Sequence, residues 1–113
     1  LYNKKGKAVA YIENDVIWAF DGRAVAYLFQ DAVYSFPGEQ LGWFEKGWLR
    51  DMDGYCVLFT PQSFAGPARP SMETTPAKYA KKSLPPQGSR KMSKAKMAYK
   101  AHWSEKEGID TTV

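Results

Sequence analysis

The chain has 113 residues, one cysteine, 44% hydrophobic and 15% aromatic residues, and a formal net charge of +4. That length allows one domain, or one small domain with an appendage, and no run approaches the ~18 apolar residues of a membrane helix. A single cysteine excludes an intramolecular disulfide and, together with no visible leader, points to a cytoplasmic setting.

The first 64 residues are four ungapped copies of a 16-residue unit. Gly6, Gly22, Gly38 and Gly54 recur at that interval. Aligned on them, column one is Leu1, Ile17, Val33 and Leu49; column nine is Val9, Val25, Leu41 and Val57. Column eleven is Tyr11, Tyr27, Trp43 and Phe59. Each unit reads as strand, tight turn, strand, because glycine supplies a positive φ without steric cost. Asn3, Ser35 and Asp51 at the first turn position, with glycine at the fourth, suit a type I turn followed by a glycine bulge. Asp-Gly in units two and four fits a type I′ turn equally well. Pro37 sits badly at the third position of a type I turn, so a different turn such as type II is expected there.

Side chains alternate along a strand, so columns nine and eleven are expected on one face and the small column ten (Ala10, Ala26, Gly42, Leu58) on the other. Column two is aromatic in Tyr2, Trp18 and Tyr34 but Arg50 in the last unit. One hairpin cannot bury its apolar face alone. The expected fold is therefore all-β, four tandem β-hairpin repeats in a closed pseudo-four-fold arrangement over residues 1–64. A domain this small is marginal, so help from the rest of the chain or a second subunit is expected.

These residues resemble the bacterial 4-fold beta flower domain family. The likeness rests on the repeated Gly-x-x-aliphatic-x-aromatic unit, on Leu41-Gly42-Trp43-Phe44, and on Asp53-Gly54 followed by Val57-Leu58-Phe59-Thr60. It covers about residues 1–67 and implies a fold and a short Lys/Pro-rich extension, with no activity to transfer.

Residues 65–113 form an extended Pro/Lys-rich tail. Pro67, Pro70, Pro76, Pro85 and Pro86 give its first part a polyproline-like character. Residues 1–64 carry six Lys/Arg against eight Asp/Glu, a net −2; residues 65–113 carry ten against four, a net +6. Head and tail are thus candidate electrostatic partners. Lys78, Lys81, Lys82, Arg90, Lys91, Lys94, Lys96 and Lys100 make a basic run with no acidic residue. Ser89 is a candidate cap for a short helix near 89–107, which would align Met92, Tyr99 and Trp103 in a docking stripe. The stripe fits docking on the head or another subunit first, then a nucleic-acid partner for the lysines, then an anionic membrane surface.

No catalytic constellation is visible, no cofactor is implied, and no Cys/His spacing suits a metal. His102 is the only histidine, and Cys56 is expected to fill a strand rather than pair with it. Asp15, Asp31, Asp51 and Asp53 belong to turns. Trp18, Tyr34, Trp43 and Trp48 are expected in the core, with a sugar-stacking platform as the alternative. The sequence therefore favours a non-enzymatic binding or assembly module, followed by a nucleic-acid-associated protein and a carbohydrate-binding β-module.

Overall fold

A computed structural model describes residues 1–106. Seven antiparallel strands lie in one sheet in chain order: β1 (Ala10–Glu13), β2 (Val16–Ala19), β3 (Ala24–Phe29), β4 (Ala32–Tyr34), β5 (Gln40–Glu45), β6 (Trp48–Arg50) and β7 (Cys56–Phe59). The sheet curls until the chain start meets its far edge. Tyr2 N–H donates to the Phe59 carbonyl at 2.8 Å, and Phe59 N–H donates back at 2.9 Å. Bonding of this kind covers an edge that would otherwise be free to aggregate.

Two kinds of turn alternate along the meander. At the four recurring glycines the N–H donates three residues back, to Asn3, Ala19, Ser35 and Asp51, at 2.9–3.1 Å. The column-three side chains reinforce these turns: Asn3 Oδ1 accepts from the Lys5 and Lys7 amides, and Asp51 Oδ1 from the Asp53 and Tyr55 amides. The Pro37 turn keeps the same main-chain pattern, with Gly38 N–H on Ser35 at 3.0 Å and Ser35 N–H on Glu39 at 2.8 Å. A type II turn would need a positive φ at Pro37, and the positive-φ residues include neither it nor Phe36. Proline is accepted because the main-chain bonds of this turn never use its missing N–H. In the first and fourth units that amide meets only a side chain.

The polar breaks between units are themselves hairpin turns of two residues. They are flanked by the pairs Glu13↔Val16, Phe29↔Ala32 and Glu45↔Trp48. Asn14, Asp15, Lys46 and Gly47 all have positive φ, as a type I′ turn demands.

Column nine does not share a face with column eleven as simple alternation requires. The register passes from Ile17↔Ala26 to Trp18↔Ala24, from Val33↔Gly42 to Tyr34↔Gln40, and from Leu49↔Leu58 to Arg50↔Cys56. Val25, Leu41 and Val57 are therefore the extra residues of β-bulges, and a bulge re-aims its side chain. Column nine joins columns one and ten in a single aliphatic core: Leu1, Ile17, Val33 and Leu49 with Ala10, Ala26 and Leu58, packed by Val9, Val25, Leu41 and Val57. The aromatic residues of columns two and eleven occupy the other face, with cross-strand pairs such as Tyr11 with Trp18 and Tyr27 with Tyr34. Two ring clusters result, one around Tyr27, Tyr34, Phe36 and Trp43, the other around Trp48 and Phe59.

No helix occurs among the described residues, so the one expected near 89–107 is absent over 89–106; residue 107 lies outside the described residues. The amides that a helix would use internally are given to the head instead. Lys91 donates to Gly38 and Lys100 to Gly54, and Lys94 to Gln40 Oε1. The described residues span 36 × 36 × 21 Å.

Candidate functional site

The rim of the curled sheet holds the tail, and it holds it periodically. The carbonyls of Gly6, Gly22, Gly38 and Gly54 accept hydrogen bonds from the amides of Glu73, Lys82, Lys91 and Lys100, at 2.8, 2.8, 3.0 and 3.3 Å. The acceptors are sixteen residues apart and the donors nine. Three residues before the second and third of these donors a further bond recurs, with Tyr79 N–H on Phe20 and Gly88 N–H on Phe36. Two residues before each donor lie Ser71, Ala80, Ser89 and Ala98, whose carbonyls sit against the turn glycines. A Cβ on any of those four glycines would overlap a carbonyl oxygen. Glycine is thus required twice at each turn, for its positive φ and for the approach of the tail.

The tail side chains face the oppositely charged head. Lys81 pairs with Glu13, Lys91 with Glu39 at 2.5 Å, and Lys96 with Asp31 at 3.0 Å and Glu45 at 3.5 Å. Lys78 lies over the Tyr11 ring, Arg90 over Phe29 and Lys100 over Tyr55. Lys82 acts on Asp21 only at longer range, and Lys94 meets the head through its backbone. The hydrogen bond from Lys81 holds the Glu13 carboxyl below its ordinary value, and Glu13 in turn raises the Lys81 ammonium. Lys96 is likewise raised, chiefly by Asp31. Apart from the half-buried Glu45 these partners are exposed, so each pair is weak and screened by salt.

The last quarter of the tail is held differently. Trp103 packs against Trp48 and Phe59 at 5.3 and 6.1 Å between ring centroids. Ser104 Oγ donates to Asp51 Oδ2 at 2.6 Å in a buried contact. Tyr99 lies between Lys46 and the fully buried Arg50, and burial raises its hydroxyl. Arg50 Nη1 donates to the Gly54 and Lys100 carbonyls at 2.9 and 3.0 Å. The break in column two thus has a use: where the other units place a ring, the fourth places a cation that fastens the tail. Met92 does not join Tyr99 and Trp103 but is 92% exposed, because an extended chain separates residues that a helix would have aligned.

Reactive groups are engaged in structure. Cys56 is fully buried, its thiol raised by burial, and its backbone bonds to His102 and Ser104. Trp18, Tyr34, Trp43 and Trp48 are all buried and present no open stacking face. A cleft of about 420 Å³ beside the fourth turn is lined by the carboxylates of Asp51, Asp53 and Glu105. Among the described residues no three His, Cys, Asp or Glu gather to hold a metal, and no helix is long and apolar enough to cross a membrane.

The nine-residue interval is the feature that the sequence reading lacks. Its traces are the small residues at 71, 80, 89 and 98 and the lysines at 82, 91 and 100. A search for periods in the tail alone would find them.

Fold and site together define a class: small all-β domains whose antiparallel meander curls on itself and carries its C-terminal extension along the rim. The chain belongs to the 4-fold beta flower protein family, which it matches over residues 1–110. That match takes in nearly all of the tail as well as the head. No curated protein and no solved structure matches the chain.

Proposed function

We propose that this protein is a non-enzymatic binding or assembly module, in which four hairpins close around the aliphatic core and the rim is a seat for extended peptide. The observation that carries the reading is the tail in its groove, where main-chain bonds to four equivalent turns hold an extended segment of nine-residue period. Such recognition reads backbone direction and spacing, with pockets and charges supplying selectivity. The buried, protonated Cys56 supports a non-catalytic role, since the thiolate is the nucleophile.

A nucleic-acid role through the basic tail is the second reading, and charge arithmetic separates the two. Eight phosphate contacts would change duplex affinity ~10⁴-fold between 50 and 200 mM salt, whereas two would change it only about tenfold. With six of the eight cations facing head carboxylates or rings, the shallow slope is expected. Fluorescence anisotropy with a labelled DNA duplex at both salt concentrations measures it. A slope near the steep limit replaces the module reading with a polyanion-binding one. Light scattering over a concentration series then reads assembly directly, and association that strengthens with protein concentration is the expected result.

A further inference from the structure

We infer that the rim also seats the tail of a second copy, so that two chains assemble by exchanging tails. This rests on the binding-module reading above and names its partner. Three observations carry it. The first is the hinge. The tail leaves the head through Ala65, a residue with a side chain held at φ 58°, between Phe64, which bonds back to Lys46, and Gly66, where a Cβ would strike the Trp48 ring. A short hinge under backbone strain favours exchange, because opening it releases the strain.

The second is the equivalence of the seats. Each quarter of the rim presents the same glycine carbonyl to a donor nine residues further along, so a tail arriving from another copy meets the contacts its own would have made. Between Met72 and Ala98 the tail is exposed throughout, held by spaced main-chain bonds, surface ion pairs and a few side-chain bonds such as those of Tyr34 to Lys91 and Ser93, local contacts of the kind that opens piecemeal. The third is charge. A head of −2 and a tail of +6 attract between copies as they do within one, while the buried contacts of Trp103 and Ser104 fix the direction in which the tail is laid.

The test uses the native full-length chain. Unlabelled and ¹⁵N-labelled protein are mixed in denaturant, refolded together at high concentration and separated by size. A carbodiimide then couples the Glu39–Lys91 and Glu13–Lys81 pairs, and mass spectrometry reads the isotope content of the joined peptides. The expected result is a dimer fraction whose crosslinks are mixed-isotope at the statistical share, beside a monomer fraction whose crosslinks are single-isotope. Ala65→Gly, which accepts the hinge φ without strain, is expected to lower the dimer fraction about two- to fivefold. Crosslinks of single isotope in every fraction, or a dimer fraction unmoved by Ala65→Gly, overturn exchange and leave the peptide-seat reading intact. Absence of both crosslinks overturns the seat itself and exchange with it.

Discussion

The four turn glycines each face two demands, and substitution separates their cost from that of ordinary loop glycines. Gly38 has φ 112° and lies against the Ser89 carbonyl. Gly38→Ala is expected to destabilise the fold by at least ~1 kcal/mol in urea unfolding, and to free the amide of Lys91. Charged residues on the rim give a smaller, pH-dependent effect. Glu13 is depressed by Lys81, so its contribution is present above its unfolded value near 4.5 and is lost as pH falls through the folded one. Lys81 is raised by Glu13, so its contribution is present below 10.5 and is lost as pH rises through its folded value. Lys81→Ala should move the Glu13 midpoint upward, towards 4.5, in an NMR titration. An unmoved midpoint would mean that the pair does not persist in solution.

At the scale of the element, two periods meet. The head's turn glycines recur every sixteen residues of a folded meander, and the tail passes from one to the next in nine residues of nearly extended chain. Only one phase of the tail places a donor at every glycine carbonyl. Hydrogen exchange should therefore find the amides of Glu73, Lys82, Lys91 and Lys100, with those of Tyr79, Gly88 and Lys94, slower than the rest of the stretch between them. Deleting residues 84–87 shifts the later tail by four. The expected outcome is loss of protection at Lys91 and Lys100, with Glu73 and Lys82 retaining theirs. The β-bulges act at this scale too. One extra residue in each of β3, β5 and β7 turns column nine inward and lets Val25, Leu41 and Val57 fill the aliphatic core.

Over the whole molecule, the tail is part of the packed body rather than an appendage. The Cα radius of gyration is 13.3 Å, close to the ~13 Å expected of a compact body the size of the described residues. A forty-residue extension trailing into solvent would raise it. The Trp103 ring and the Ser104 hydroxyl help to fasten the end beside Arg50 and the Cys56 backbone bonds, and replacing both by alanine removes their side-chain contacts. Small-angle scattering of Trp103→Ala/Ser104→Ala is expected to give a larger radius than the parent, with the sheet retained in circular dichroism. An unchanged radius would mean that the main-chain bonds, the rim ion pairs and Arg50 suffice to hold the tail.

Local signals were legible in the chain itself. A glycine that must take positive φ, an Asn or Asp that accepts its neighbours' amides, and an aliphatic at constant spacing are each set within a few residues, so the turns and the aliphatic columns could be read directly. Cys56 and the tryptophans in the core follow from the same reasoning. The tail could not be read so, because composition and Ser89 suggested a helix whose hydrogen bonds are in fact made to carbonyls up to fifty-odd residues away. The face of column nine and the meaning of Arg50 had the same origin. A bulge exists only relative to a partner strand, and the buried Arg50 cation relies on Gly54, Lys100, Glu45 and the Tyr99 ring, which the fold brings together. Spacing along the chain determined where it bends; the path of the tail was decided by the rim those bends create.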